Sequence, residues 1–243
     1  MTWFEKWFGT DYYKLLYSHR DETEAQKFLD NLLAYIHLPE NASIVDVGCG
    51  QGRHSNYLAA KGFNVTGLDY AEENIEAARR EAPANAQFIE HDMREPFPVQ
   101  NKDLALNVFT SFGYFNAEEE DIQTIKNICN ALRNNGFAVI DFLNAKHVEN
   151  TLVQAETIYK GDVAFRILRE IKDKTVFKTI NVRHGDEEHH YQERVKLLTL
   201  ADFKRYFAET CFVLLDVFGS YKLEPYDEQN AARLIMILQK REF

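Results

Sequence analysis

The segment VDVGCGQGR, residues 45–53, constrains the fold most, because a short β-branched run stops there at closely spaced glycines. Residues 43–47 have the composition of a buried strand, and residues 53–61 have helical periodicity and are followed by Gly62. Glycines at such a junction let the main chain approach a ligand closely, and the start of a helix offers unpaired N–H groups. The segment therefore predicts a strand, a glycine turn and a helix that form a ligand site.

The same alternation of strand and helix continues along the chain. Further strands are predicted at about 63–68, 86–89, 103–110 and 136–143, and further helices at about 21–38, 71–81 and 117–133. Continuous apolar strands between helices are typical of a parallel sheet that is covered on both faces. The fold class is predicted to be α/β.

After about residue 156 the pattern changes to longer and more polar alternating stretches. Antiparallel strands are predicted at 163–171, 174–184 and 189–198, then a helix from Thr199 to about Thr210 and a closing strand pair at 212–219 and 232–239. No repeat, low-complexity tract or Pro/Gly-rich linker marks a boundary between domains. We therefore predict a single domain over residues 1–243 with an antiparallel insert at 156–198.

Charge and composition narrow the classes of partner. The formal net charge is −10, from 38 Asp and Glu against 28 Lys and Arg, which disfavours a nucleic-acid substrate or an anionic membrane. The three cysteines, Cys49, Cys129 and Cys211, are scattered without a CxxC pair, so no metal site is expected. No apolar run approaches the ~20 residues that span a bilayer, and no secretory signal is visible, so we expect a cytoplasmic protein.

The spacing of the glycines indicates the kind of ligand. The pattern is GxGxG, with Gly52 as the third glycine and Arg53 after it, whereas dinucleotide-binding enzymes favour GxGxxG with a small residue at that point. Asp69 ends the next predicted strand, about 20 residues after the loop, where a carboxylate can accept hydrogen bonds from both hydroxyls of a ribose. A nucleoside other than a nicotinamide cofactor is the predicted ligand.

Four segments in this order, VDVGCGQGRHS, VTGLDYAEENIEAARR, FIEHDMRE and LNVFTSFGYF, resemble the successive motifs of class I S-adenosylmethionine-dependent methyltransferases. The resemblance spans about residues 20–145. It implies a three-layer, Rossmann-like fold with a seven-stranded, mostly parallel sheet whose last strand is antiparallel. It also implies that residues 1–20 form an N-terminal lid and that the insert covers the substrate side.

The resemblance further implies a set of contacts to S-adenosylmethionine, whose product form is S-adenosylhomocysteine. The glycine loop would pass under the methionine and ribose, Asp69 would bind the ribose hydroxyls, and Tyr70 would lie against adenine. Asp92 would accept from the adenine amino group and the Met93 backbone would contact the ring. The complete predicted cofactor set is Asp46, Gly48, Cys49, Gly50, Gly52, Asp69, Tyr70, Asp92, Met93, Phe109 and Thr110, of which the last two would face the methionine end.

Within that family the chain is most similar to N-methyltransferases of amino sugars and of glycine, through its N-terminal tyrosines, the SFGYF stretch and the inserted strands. The expected reaction is transfer of the sulfonium methyl to N or O of a small molecule. No catalytic base is assigned. The candidates for substrate contact are Tyr13, Tyr17, Arg20, Tyr114 and Asn144.

Several alternatives stay open at this point. The tyrosines could serve packing as well as substrate contact, and the aromatic cluster of Trp3, Phe4, Trp7 and Phe8 fits a lid, a homodimer contact or a core equally well. Two other classes of function remain: a non-catalytic S-adenosylmethionine-binding module and a nucleotide-dependent oxidoreductase. An RNA acceptor remains open within the main hypothesis and would need a basic cleft.

Overall fold

The computed structural model describes residues 2–4, 6–18 and 22–241. Among these residues the helices are α1 (Asp11–Leu16), α2 (Glu22–Ile36), α3 (Arg53–Ala60), α4 (Glu72–Arg80), α5 (Glu118–Ala131), α6 (Ala145–Thr151) and α7 (Leu200–Phe207). The strands are β1 (Ser43–Val47), β2 (Asn64–Asp69), β3 (Ala86–Glu90), β4 (Lys102–Asn107), β5 (Leu132–Leu143), β6 (Ala155–Lys160), β7 (Val163–Lys172), β8 (Thr175–His184), β9 (Glu187–Lys196), β10 (Phe212–Phe218) and β11 (Arg233–Lys240).

Seven of the strands form one sheet in the order β10, β11, β5, β4, β1, β2, β3. Neighbours from β5 to β3 run parallel, and β11 runs antiparallel to both β5 and β10. This confirms the predicted α/β class with a mostly parallel sheet whose last strand is antiparallel. Strand order reverses between β1 and β4, and ligands of such sheets bind beyond the carboxyl ends of the strands at that point.

Helices cover both faces of this sheet because its strands are apolar on both faces. Phe28 of α2 and Leu58 of α3 belong to the core on one face. Ile125 of α5 and Phe203 of α7 belong to the core on the other face. All four side chains are fully buried, and burial of each contributes about 1.5–3 kcal/mol to folding. The two cores hold the carboxyl ends of β1, β2 and β4 in fixed positions.

The strands β6 to β9 form a second, four-stranded antiparallel sheet in chain order. It occupies nearly the span predicted for the insert, 156–198. β8 and β9 pair over their whole length, from Thr175 opposite Lys196 to His184 opposite Glu187. One face of this sheet is therefore formed by alternate residues of two long, regular strands.

The segment before α2 packs on the other face of this second sheet. Trp7 is fully buried there and shares an apolar cluster with Leu16, Phe165 and Ile180. The indole Nε1 of Trp7 donates to Oε1 of Glu193 on β9 at 2.6 Å. Trp7 therefore belongs to a core between the N-terminal segment and the insert. Asp21, the first residue of the helix predicted at about 21–38, lies outside the described residues.

β4 ends at Asn107 instead of near residue 110. The reason is that Phe109 and Thr110 have left-handed backbones, with φ of 59° and 64°, which cannot continue a strand. Apolar composition alone predicted a longer strand at this place. The bend moves the chain away from the sheet directly beyond its carboxyl edge.

The junction of α5 and β5 also differs from the prediction of a helix to residue 133 and a strand from residue 136. α5 ends at Ala131, and Leu132 is already extended with ψ of 147° and pairs with Lys102. Leu132 is buried in the same core as Ile125 and Phe203. This packing ends the helix earlier than the periodicity of the sequence indicates. The short helix α6 was not predicted.

Within the described residues, no helix has the length and apolar character needed to cross a membrane.

Candidate active site

The turn after β1 contains three glycines in left-handed conformations, with φ of 75° at Gly48, 56° at Gly50 and 78° at Gly52. A Cβ added to Gly48 would lie 2.8 Å from Cβ of Ser111, and one added to Gly52 would lie 2.6 Å from the ring of Phe88. No heavy atom lies within 4 Å of the corresponding point at Gly50. The outer two glycines are therefore required for packing, and the middle one faces open space that a ligand can enter.

Asp69 at the end of β2 is tied directly to this turn. Its Oδ2 accepts from the backbone N–H of Gly50 at 2.8 Å, and its Oδ1 accepts from the N–H of Ala71 at 3.0 Å and from Nδ2 of Asn74 at 3.3 Å. Burial raises the pKa of Asp69, and these three donors lower it only in part. Each carboxylate oxygen can accept more than one hydrogen bond, so Asp69 keeps acceptor capacity beside Gly50.

Asp46 and Cys49, both in the predicted cofactor set, lie beneath the turn. The Asp46 side chain is buried and accepts from Oγ of Ser55 in α3 at 2.6 Å. Burial, together with the charge of Asp69, raises the pKa of Asp46 to about 6 despite that hydrogen bond. The Cys49 thiol is also buried and packs beside Phe88, and burial raises its pKa. Both side chains therefore contact the interior of the protein and stabilise the turn from below.

On the predicted adenine side, Asp92 is held by Arg94. Nη2 of Arg94 lies 2.6 Å from Oδ2 of Asp92, and its Nε lies 3.0 Å from Oδ1. Partial burial raises the pKa of Asp92, but the hydrogen bonds and charge of Arg94 outweigh this, and the pKa is lowered overall. Arg94 also bonds Glu120 of α5 at 2.7 Å. An adenine amino group at Asp92 would share the carboxylate with this guanidinium.

Met93, between these two residues, faces the glycine turn. Its Cε would lie 3.8 Å from a Cβ on Gly48, and its carbonyl accepts from Nδ2 of Asn127 at 3.0 Å. The same amide donates to the carbonyl of Glu95 at 2.8 Å. Asn127 on α5 therefore fixes the loop that carries Asp92 and Met93 against the carboxyl edge of the sheet.

The left-handed pair Phe109 and Thr110 is held by a buried ion pair. The N–H of Phe109 donates to Oδ2 of Asp141 at 2.7 Å, and the N–H of Thr110 donates to the Asp141 carbonyl at 3.1 Å. Arg233 donates to Asp141 Oδ1 and to Thr110 Oγ1, each at 2.8 Å. A left-handed backbone costs a non-glycine residue roughly 1–2 kcal/mol, so these contacts are needed to hold the bend.

Asp141 is fully buried, and burial raises its pKa although the Arg233 charge and the Phe109 N–H lower it. Neither Asp141 nor Arg233 was among the predicted site residues. One signal was present: Asp141 is the charged residue in the otherwise apolar strand GFAVIDFL. A buried carboxylate in such a strand requires a partner, and sequence alone does not identify Arg233 as that partner.

One aromatic side chain of the N-terminal segment, Phe4, lies over the carboxyl edge of the sheet. The ring of Phe4 packs edge-on against Tyr70, the residue predicted to contact adenine, with centroids 5.5 Å apart. It also packs against Phe115 at 6.1 Å. Tyr70 keeps 39% of its surface exposed. The structure thus brings the N-terminal segment to the place where the adenine is predicted to lie.

Tyr114 is the predicted substrate residue nearest to the methionine side. Its hydroxyl donates to the carbonyl of Thr110, and its ring lies 5.4 Å from Trp3 and 5.5 Å from Phe8. Thr110 is the second residue of the left-handed bend. Tyr114 therefore links the end of β4 to the aromatic N-terminal segment.

The other substrate candidates are placed differently. The Tyr17 hydroxyl donates to Glu193 at 2.7 Å and accepts from Lys178, and the Tyr13 ring packs against the Tyr17 ring at a 60° tilt with centroids 4.9 Å apart. Asn144 is 2% exposed: its amide donates to the carbonyls of residues 228 and 231, and its Oδ1 caps α6. Arg20 lies outside the described residues. Tyr13 and Tyr17 join the core below the insert, whereas Asn144 anchors a loop.

Comparison with known proteins agrees with this geometry. Residues 44–136 match the family described as "Methyltransferase domain". The chain is 34% identical over 101 residues to a ubiquinone biosynthesis O-methyltransferase of Rickettsia conorii, covering 42% of this chain and 35% of that protein. It is 27% identical over 132 residues to a dTDP-3-amino-3,4,6-trideoxy-alpha-D-glucopyranose N,N-dimethyltransferase of Streptomyces venezuelae, covering 54% and 55%. The chain thus spans about half or less of the length of these curated relatives.

The whole fold has close structural counterparts. The crystal structure of an S-adenosylmethionine-dependent methyltransferase from Clostridium acetobutylicum superimposes with a TM-score of 0.82 at 16% identity, covering 95% of this chain and 96% of that one. At 16% identity this superposition shows similarity of the fold alone. The match to the family model is a match in sequence, and it covers the region that contains the glycine turn, Asp69 and Asp92. Residues 44–136 are therefore similar to a methyltransferase domain, and the chain has a Rossmann-like fold similar to that of an S-adenosylmethionine-dependent methyltransferase.

Proposed function

We propose that the protein transfers the sulfonium methyl of S-adenosylmethionine to a nitrogen or oxygen of a small molecule and releases S-adenosylhomocysteine. The observation that carries this proposal is the hydrogen bond from Gly50 to Asp69 beside an open glycine bend, within the segment that matches the methyltransferase domain. An unhindered main chain next to a partly buried carboxylate fits a ribose with two neighbouring hydroxyls. The residues present therefore fit the cofactor.

The cofactor supplies an activated methyl group, so the chain has to hold the acceptor in line and exclude water. The strained bend at Phe109 and Thr110 fixes the main chain at the methionine side. Tyr114 lies next to this bend, and aromatic rings of the N-terminal segment cover it. These rings keep water away from the reacting atoms, while the Tyr114 phenol lies near enough to orient an acceptor.

The proposed acceptor is a small molecule and not a nucleic acid. The net charge of −10 repels a phosphate backbone at long range. One relative named above is an O-methyltransferase and the other an N,N-dimethyltransferase, which is why the proposal includes both atoms.

Asp69→Asn is the direct test of cofactor binding. We expect the Kd for S-adenosylhomocysteine to rise about 100-fold, because hydrogen bonds to a charged carboxylate contribute roughly 1.5–3 kcal/mol each and two ribose hydroxyls lose that charge. Isothermal titration calorimetry on the purified chain measures the change. Asp216→Asn on β10, where the carboxylate is exposed and bonds only Tyr35 among the described residues, is the matched control and should bind as the wild type does.

Two outcomes would contradict the proposal. One is the absence of heat with wild-type protein at millimolar S-adenosylmethionine or S-adenosylhomocysteine. The other is saturable binding without any labelled product when the protein is incubated with methyl-labelled donor and cell extract, which would favour a non-catalytic binding module.

A second test separates ligand binding from folding at the glycine turn. Gly50→Ala should lower stability by only about 1–2 kcal/mol, the cost of its left-handed backbone, yet weaken S-adenosylhomocysteine binding at least about tenfold by filling the open space. Gly52→Ala carries the same backbone cost and also forces a Cβ into Phe88, so its loss of stability should be larger by about 1–3 kcal/mol. Urea denaturation and calorimetry on both variants measure the two effects. Equal binding by Gly50→Ala and wild type would show that the ligand does not pass over this glycine.

A further inference from the structure

A cavity of about 130 Å³ lies where the end of the β8 and β9 ladder meets the loop after β4. Its walls include Tyr114 and Asn116 of the loop, Thr175 and Phe177 of β8, and Arg194 of β9. A single water needs only about 10–15 Å³ of such space. The cavity is therefore large enough for a small polar group of a ligand.

The side chain of Arg194 has no hydrogen-bond or ion-pair partner among the described residues. Its Nε is buried without a hydrogen-bond acceptor, and its side chain makes no ion pair with any residue in the described ranges. It stands opposite Phe177 in the β8 and β9 register, so both side chains project from the same face. A buried guanidinium donor that no protein atom accepts from is rare and costly, and the fork of the guanidinium matches carboxylate and phosphate oxygens.

Four carboxylates of α5 and β9 are bound to cations other than Arg194. At the start of α5, Asp121 pairs with Lys196 at 2.5 Å, Glu120 pairs with Arg94 at 2.7 Å, and Glu118 pairs with Arg205. On β9 itself, Glu193 pairs with Lys178 of β8 at 3.2 Å. None of the described carboxylates pairs with Arg194. In a chain with a net charge of −10, an arginine that lines a cavity without a carboxylate partner has the charge and the donors to bind an anion.

The cavity adjoins the predicted reaction site through Tyr114. This residue lines the cavity and donates its hydroxyl to the carbonyl of Thr110 at the methionine side. Phe115, the next residue, also lines the cavity and packs against Phe4 over the adenine side. A molecule with one end in the cavity can therefore extend around Tyr114 toward the carboxyl end of β4.

We propose that this cavity binds an oxyanion, a carboxylate or a phosphate, of the methyl acceptor, and that Arg194 is its main ligand. The assignment to an acceptor rests on the proposed methyltransferase function. The side chains of Asn116 and Thr175 supply further polar contacts, and the aromatic walls of Phe177 and Tyr114 pack against the rest of the molecule. The acceptor is thus a small organic acid or a phosphate ester.

The test compares the wild-type chain with Arg194→Gln and Arg183→Gln. Arg183 lies at the exposed far end of β8 and does not line the cavity, so its replacement makes the same change in charge elsewhere on the same sheet. The probes are inorganic phosphate and acetate, each titrated against chloride at equal ionic strength, with binding obtained from the rise in Tm. S-adenosylhomocysteine binding to the three proteins is measured in parallel by calorimetry.

We expect at least one of the two anions to stabilise the wild type and Arg183→Gln with the same Kd, and Arg194→Gln with a Kd at least about tenfold higher. A stronger response to phosphate identifies a phosphate ester, and a stronger response to acetate identifies a carboxylic acid. No response in the wild type, or an equal response in Arg194→Gln, overturns the proposal. If all three proteins bind S-adenosylhomocysteine in that case, the cavity assignment alone fails. If the wild type does not bind S-adenosylhomocysteine, the methyltransferase proposal fails and the acceptor assignment fails with it.

Discussion

Replacement of Arg233 by Met is expected to lower the free energy of unfolding by about 3–5 kcal/mol, as measured by urea denaturation. The reason is that Asp141, whose side chain is 0% exposed, would keep a charge without a counterion. The same change removes the hydrogen bond to Thr110 and loosens the bend at Phe109 and Thr110. Binding of S-adenosylhomocysteine should therefore weaken in the fraction of the protein that remains folded.

Two further variants separate the buried ion pair from a general effect of losing an arginine. Arg205→Met removes a guanidinium that is 56% exposed and pairs with Glu118 and Asp202, and should change the free energy of unfolding far less than R233M does. The double variant D141N/R233M leaves no unpaired charge and should recover part of the loss. Equal and small effects of R233M and R205M would show that the pair is not needed to hold the bend.

Replacement of Lys196 by Met should cost a similar amount, about 3–5 kcal/mol, and the loss should depend on pH. Asp121 is fully buried, and its Oδ1 has no hydrogen-bond partner among the described residues. Burial raises the pKa of Asp121 to about 6 even though Lys196 lowers it, so removal of Lys196 raises the pKa further. A carboxyl whose pKa is higher in the folded than in the unfolded state binds its proton more tightly when folded. Its destabilising effect is therefore lost as the pH falls through the folded pKa.

The expected result is a large loss of stability for K196M at about pH 8 and a much smaller loss at about pH 5, relative to wild type at each pH. Urea denaturation at the two values measures it. Lys126→Met on α5, which breaks only the exposed pair with Glu209, is the control and should change stability by no more than about 1 kcal/mol at both. A loss for K196M that is the same at both values would contradict a charged, buried Asp121.

The order of strands and helices in the main sheet follows from the sequence because its signals are local. The apolar run at β1, the glycine turn and the helix at α3 are neighbours in the chain, and the unit repeats at β2 and α4. The end of β4 does not follow, because its bend depends on Asp141, which lies 32 residues beyond Phe109 in the chain. The same holds for the early end of α5, which is set by packing of Leu132 in the core.

The same distinction between local and long-range contacts applies to the candidate site. Gly50 and Asp69 could be paired by spacing alone, since parallel neighbouring strands bring their carboxyl ends together, and their hydrogen bond follows. Arg233 is 92 residues from Asp141, and Trp7 is 186 residues from Glu193. No periodicity connects such pairs. They become visible only when the sheet order and the packing of the insert are known.

The loop after β4 is joined to the insert by a backbone hydrogen bond, from the N–H of Lys196 to the carbonyl of Gly113 at 2.9 Å. This bond holds the loop against the last residue of β9, at the edge of the antiparallel sheet. If the cavity binds the acceptor as proposed, substitutions along β8 and β9 change which acceptor fits without disturbing the strands that form the glycine bend. An enzyme of this kind then acquires a new acceptor through changes in one hairpin, while the half of the molecule proposed to bind the nucleoside stays as it is.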